Sequence, residues 1–355
     1  MKTEPATACP MIETSYYLIH GVEVVVECGH QSAHERIRRH LEPYLCPPGG
    51  GAEERRIRVE IRSEEVLYPT PLHARRLMHY GRLRSYFLDG RHYFTDYFSN
   101  LTIEPDGRLI RGNLSQVTEK DYGLHFFVDL LFHLSLFEAL RHHGLYYLHA
   151  AAVEGEDGTG YLMIGNAGSG KTSLTLSLIQ AGFKHLSDDT VFLQICPQGV
   201  EVLGFIRDFH VARDLIQDSR CFSHLDSLPD YTPYRAKKRL RADEWFPEAR
   251  RERLLNPEVL IFPRLGGADK TIGSTKKSEL TPLPTPDTLS QILRQSPTVI
   301  LNPATARPHL EALKRLLRRG RGFALELGLE VKDDPAAARG LFEQARDLSR
   351  QGDKI

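Results

Sequence analysis

Two short stretches of this chain carry residue types that could move a phosphoryl group. Tyr161-Leu162-Met163-Ile164 is an apolar run entering Gly165-Asn166-Ala167-Gly168-Ser169-Gly170-Lys171-Thr172-Ser173. The spacing is G-x-x-x-x-G-K-[ST], a loop whose backbone N–H groups surround a triphosphate. Its lysine meets the outer phosphates and its hydroxyl ligates Mg²⁺. Further on, Ser187-Asp188-Asp189 stands just before a second apolar run, Thr190-Val191-Phe192-Leu193. Phosphoryl transfer needs positioning, a metal and an acceptor for the nucleophile's proton, and two carboxylates could divide the last two duties. Alone, adjacent aspartates before a strand are an ordinary solvated turn; their position after the loop's helix is what makes them candidates.

The elements that must position these residues can be read from hydrophobic period and turn signals. Residues 161–164 form a strand, and 172–182 a short helix ending at Gly182. Residues 190–195 and 200–206 read as strands, Val259-Leu260-Ile261-Phe262 as a buried strand closed by Pro263-Arg264, and Phe323–Leu327 as a last strand. Helices are expected from Thr285 to about Arg294, over 306–319, and after Asp334-Pro335. Tyr146–Val153 reads as one strand beside the loop's strand. Residues 207–256 are polar, basic and poorly periodic, and are expected to form a mobile insertion over the site.

Upstream, apolar residues recur at helical spacing from Asp121 to His142, and Gly144 follows as a terminator. Residues 15–28 read as two strands around a turn at His20-Gly21, with a helix from about Ser32 to Tyr44. Short strands follow at 56–61, 84–88, 92–98 and 100–103. The reading is a β-rich mixed domain over 1–119 and a catalytic domain over 120–355.

The chain has 355 residues, 46 basic and 46 acidic, with 41% hydrophobic content. Zero net charge gives no long-range steering toward nucleic acid or an anionic membrane, so neither is an expected partner. The five cysteines are scattered without a C-x-x-C pair, which suits a reducing compartment rather than a disulfide framework or zinc ribbon. The N-terminus lacks a signal-peptide plan and no run approaches a membrane helix, so a cytoplasmic location is expected.

His149 is one of sixteen histidines, and residue type alone makes it a packing residue. His125 and His133 are treated the same way. The basic stretches Arg235–Arg241, with Trp245-Phe246 nearby, and Lys314–Arg321 read first as solvated helix faces. The former lies in the expected cover and is the better candidate for touching substrate.

The order of His149, the loop 165–172, and Leu178-Ile179-Gln180-Ala181-Gly182-Phe183-Lys184-His185-Leu186-Ser187-Asp188-Asp189 resembles the catalytic domain of HPr kinase/phosphorylase. More broadly it resembles the HPr-kinase-related branch of the phosphoenolpyruvate-carboxykinase-like P-loop proteins. The resemblance is dense over 145–195, diffuse over 255–330 and absent over 1–120. It implies an α/β P-loop kinase domain using ATP and Mg²⁺, with residues 165–173 holding the nucleotide. Lys171 would bind the β- and γ-phosphates, and Thr172 and Asp189 the metal. Asp188 would be the base that activates a serine hydroxyl, with His149 beside it. The family's second signature has only a loose counterpart, Gly204-Phe205-Ile206-Arg207-Asp208. Arg207 and Arg264 are the candidates for an arginine that neutralises transition-state charge. The expected partner is a peptide or protein bearing a serine hydroxyl. A small-molecule acceptor such as free serine is the alternative, and a nucleotide-gated binding module without an acceptor the other. A homo-oligomer is allowed but not required by any residue.

Overall fold

The computed structural model describes residues 12–63, 73–96, 98–115, 121–205, 208–232, 235–265, 277–296, 299, 302–328 and 330–351. The fold is mixed α/β with several sheets. Contacts divide the chain into two units, 1–145 with 301–305 and 146–300 with 306–355. The apolar helix over Asp121–His142 therefore falls in the first unit, whereas the boundary read at residue 119 assigns it to the second.

The first unit opens with β1 (Glu13–Ile19) and β2 (Val22–Cys28), joined at His20 and Gly21, both at positive φ. That conformation is the one a two-residue hairpin requires. After α1 (Gln31–His40) come β3 (Arg56–Ser63), β4 (Arg75–Tyr80), β5 (Leu83–Leu88), β6 (Arg91–Thr95), β7 (Ser99–Ile103) and β8 (Leu109–Leu114). Their sheet order is β1-β2-β3-β8-β7-β6-β5-β4. The period reading missed β4 and β8: β4 is an exposed edge strand, and Gly112 and Asn113 interrupt the apolar pattern of β8.

The helical run is α2 (Asp121–Phe126), a π-helical stretch over Phe127–Phe132, and α3 (His133–His142). Contrary to the sequence expectation, Gly123–His142 is long and apolar enough to cross a membrane, with a mean hydropathy of 1.4. Yet 72% of that window is buried inside the protein, as in a core helix.

On α3 lies a closed polar network. Glu138 is 2% exposed and accepts from Arg141 at 2.6 Å, Asn302 Nδ2 at 2.9 Å and Thr305 Oγ1 at 3.3 Å. His92 Nδ1 stands 3.9 Å from the same carboxylate, and its Nε2 is 2.5 Å from Ser85 Oγ. Burial alone would raise the Glu138 pKa. His92 and Arg141 more than offset that and bring it down to about 2.

The second unit begins with β9 (Tyr146–Leu148), β10 (Ala150–Glu154), β11 (Gly160–Ile164), α4 (Lys171–Gln180), β12 (Lys184–Ser187), β13 (Val191–Cys196) and β14 (Gly199–Gly204). It continues with β15 (Phe209–Ala212), α5 (Arg213–Asp218), β16 (Asp230–Thr232), β17 (Arg235–Leu240), α6 (Ala242–Trp245) and β18 (Arg253–Leu255). The last elements are β19 (Val259–Leu265), β20 (Glu279–Leu283), α7 (Thr285–Gln295), α8 (Pro303–Arg319, from 306 onward in this unit), β21 (Arg321–Leu327), α9 (Glu330–Asp333) and α10 (Pro335–Gln351).

Three sheets result, ordered β12-β10-β11-β19-β21-β20, β18-β14-β13-β9 and β15-β17-β16. In the first, β11, β19 and β21 run parallel. Both faces of these strands are covered, which is why they read as unbroken apolar runs. Leu162, Ile164, Leu260 and Phe262 enter one core, while Tyr161, Met163, Val259 and Ile261 enter the other. β20 lies at the edge, where Pro282 costs no central ladder bond.

Residues 207–256 are not the structureless cover expected. Their described part builds the three-stranded sheet and its own core of Phe209, Val211, Leu225 and Leu240, packed with Leu176 and Ile179 of α4. A strand needs only every second residue apolar, and charges on both sides of the basic run, Lys238 on the core-facing side included, hid that period. Arg235–Leu240 is thus a strand, not the helix face expected.

Candidate phosphate-loop site

Two crossings between sheets place the candidate side chains. The expected single strand over 146–153 is two, since β9 belongs to the four-stranded sheet and β10 to the six-stranded one, and His149 sits at the step between them. β12 and β13 make the same step in reverse, with Asp188, Asp189 and Thr190 as the connection. β9 pairs with β13 and β10 with β12, so the two steps lie side by side. Ser187 pins the second: its Oγ donates to Phe205 O at 3.2 Å and accepts from Thr190 N at 3.2 Å.

The glycine loop leaves β11 beside these steps. Gly168 and Gly170 hold φ of +82° and +98°, which L side chains rarely adopt. A Cβ on Gly170 would also meet Leu327 Cδ1 at 2.5 Å. Gly170 is the N-cap of α4, and no side chain caps that helix end. The first N–H groups of α4 are therefore left for an anion.

Lys171 is 6% exposed, and its ammonium donates to Gly165 O at 2.6 Å and Asn166 O at 3.2 Å. His149 Nε2 lies 3.1 Å from the same nitrogen. An ammonium has no lone pair, so Nε2 is the acceptor and the imidazole proton sits on Nδ1. Nδ1 faces Asp189 Oδ1 at 3.6 Å, giving a chain Lys171–His149–Asp189. Burial lowers the Lys171 pKa, and Asp189 and Asp188 partly restore it. Asp188 is 5% exposed and accepts from Thr172 Oγ1 at 3.1 Å. Asp189, by contrast, has a side chain 44% exposed and lines the cleft.

That cleft holds about 570 Å³ and is bounded by the loop, Thr172, Asp189, Leu265, Leu327 and, from the 207–256 insertion, His210 and Lys237. No protein-family model matches the chain, and no curated protein does. A solved structure of the Hpr(Ser) kinase/phosphatase from Coxiella burnetii matches at 13% identity, covering 57% of this chain and 98% of that chain, with a TM-score of 0.31. The likeness is weak and carries no argument about chemistry, which rests on the geometry above.

The loop fits a polyphosphate by its own features. Ser169 Oγ is buried with no hydrogen-bond partner among the described residues. No group of three or more His, Cys, Asp or Glu able to hold a metal occurs among the described residues. Mg²⁺ does not require one, because it takes one or two protein oxygens and completes its shell with water and phosphate. The Thr172 hydroxyl beside the Asp188 carboxylate offers such oxygens.

The structure therefore brings together Gly165 through Ser173, Lys171, His149, Asp188 and Asp189. Arg264 is not among the residues that line the cleft. Leu265 lines the cleft, and strand alternation sends its neighbour Arg264 to the other face of β19, where it is exposed. Arg207 lies outside the described residues. Sequence reasoning missed Ser187, whose role is to fix a turn, and the cleft-facing His210; it named the stretch Arg235–Arg241 as a candidate for touching substrate without singling out Lys237, which lines the cleft. His210 lies in a short mixed stretch, Phe209–Ala212, and Lys237 in a basic run, so neither carried a local signal of its own.

Proposed function

We propose that this chain is an ATP- and Mg²⁺-dependent kinase that transfers the γ-phosphoryl group to a hydroxyl, that of a serine in a peptide or protein. The observation that carries the proposal is the convergence of the Lys171–His149–Asp189 chain and the Thr172–Asp188 pair at the uncapped N-terminus of α4. The choice of a serine acceptor rests on the motif resemblance to HPr-kinase-related enzymes.

In this reading the loop N–H groups, Ser169 Oγ and Lys171 bind the phosphates. All three Lys171 protons already have acceptors, so a phosphate oxygen replaces one of them. Leu215, Leu265, Leu327 and Val331 give the cleft an apolar side for the nucleoside. Mg²⁺ supplies charge neutralisation on the phosphates when bound, and Thr172 would hold it with Asp188. This exchanges the roles implied by the resemblance. Asp188 is buried against the metal-side hydroxyl, while Asp189 is open to the cleft and oriented toward His149. Asp189 then takes the proton of the acceptor hydroxyl as the new oxygen–phosphorus bond forms and ADP leaves.

The test is incubation with γ-labelled ATP and serine-bearing peptides or free serine, read by mass spectrometry. Phosphorylated acceptor is expected with the native chain. Asp189→Asn should lose transfer and keep Mg·ATP binding, whereas Asp188→Asn should weaken that binding. Full transfer by Asp189→Asn would overturn the assignment of the base. ATP turnover without any acceptor product would favour a nucleotide-gated module instead.

A further inference from the structure

β15 and β17 place four residues on one face of a two-stranded ribbon. The register pairs His210 with Arg239 and Ala212 with Lys237, while Phe209 faces Leu240 and Val211 faces Lys238. Directly opposed residues share a face, and successive ones alternate. Phe209, Val211 and Leu240 are buried in the core shared with α4, which fixes the orientation of the ribbon. The opposite face is the one that reaches the cleft, and His210, Ala212 and Lys237 all line it together with Gly170, Lys171 and Thr172.

The cations of this strand are not equivalent. Lys238 bonds Asp230 at 3.2 Å, a carboxylate that also takes Arg213 at 2.6 Å. Arg239 is paired with Asp208. Lys237 has no ion pair among the described residues and is only half-buried. It lines the same cleft as Lys171. Two lysines converging on one cleft repel each other, and an anion between them relieves the repulsion. The insertion is also fastened to α4 itself through Leu176 and Ile179, so the strand carrying this lysine is held against the helix that follows the phosphate loop.

We propose that Lys237 is a second phosphate-binding cation, supplied by the insertion, that contacts the terminal phosphate of a bound nucleoside triphosphate. It fills the place for which Arg264 was a candidate. The inference rests on the reading of the loop as a triphosphate site.

Calorimetric titration with Mg·ATP and Mg·ADP tests it in the full chain. Lys237→Ala should weaken Mg·ATP by about tenfold, the loss of one charge-assisted contact, and leave Mg·ADP nearly unchanged. Lys237→Arg should restore most of the discrimination. Lys238→Ala, on the core-facing side of the same strand, should not change the ATP-to-ADP ratio, and a native circular dichroism spectrum checks that each variant is folded. If the native chain binds neither nucleotide, the triphosphate reading itself fails. If the native chain binds both and Lys237→Ala leaves their ratio unchanged, this inference alone is overturned.

Discussion

The first unit holds a chain Ser85–His92–Glu138, and the second a chain Lys171–His149–Asp189. In residue type both could pass for catalytic relays, since each sets an imidazole between a carboxylate and a second polar group. Their surroundings differ. Ser85, His92 and Glu138 are at most 2% exposed, and the carboxylate is saturated by Arg141, Asn302 and Thr305. Nothing can approach it, and its charge is spent on holding the 302–305 segment to α3. The phosphate-loop chain opens at Asp189 onto a cleft that two lysines share. A sealed set of charges is architecture; one that opens onto a cleft can meet a ligand.

That contrast breaks if the two chains respond alike to mutation. The largest effect is expected at Asp189. Asp189→Asn should lower phosphoryl transfer about 10²- to 10⁴-fold, the range of a lost general base, without moving the melting temperature. Glu138→Ala should do the reverse: it strands Arg141 in the interior and costs about 3–5 kcal/mol in urea denaturation, with Mg·ATP affinity intact where the chain is folded. A Glu138 variant that melts normally but cannot bind nucleotide would erase the distinction.

Histidine titration sharpens it next. Burial brings the pKa of His185, beside the aspartate turn, and of His143 in the first unit down to about 4. Between that value and the ordinary histidine pKa the unfolded chain binds protons that the folded chain does not, so stability falls as pH drops from about 6.5 to 4. His185 contributes up to about 3 kcal/mol to that loss, and the less deeply buried His143 contributes less. His185→Leu should flatten the dependence, read as unfolding midpoints at several pH values. An unaltered slope would remove His185 from the account. The smallest effect is expected for Gly170→Ala, which forces a side chain into a positive-φ position against Leu327 and should cost about 1–3 kcal/mol of stability. Its nucleotide affinity should fall as well.

Much of the second unit was legible in the sequence because parallel strands buried on both faces and a glycine loop leave strong local signals. The loop, α4 and the strands around Leu162, Ile261 and Phe323 follow from them. What was not legible depends on pairing between distant segments. A single apolar stretch, Tyr146–Val153, gave no sign that it changes sheets at His149. The different fates of Asp188 and Asp189 depend on Thr172 and on a turn pinned by Ser187. Lys237 could not be separated from Lys238 until the register with β15 assigned their faces. Edge strands such as β4 and β20, half exposed or carrying proline, lack the apolar period that would mark them.

The central claim is that the cleft at Lys171 binds a magnesium–triphosphate. Calorimetric titration of the native chain and of Lys171→Ala with Mg·ATP tests it most directly. The account predicts saturable binding by the native chain that is lost in the variant, with both proteins folded. Equal binding by the two, or none by the native chain, would contradict it.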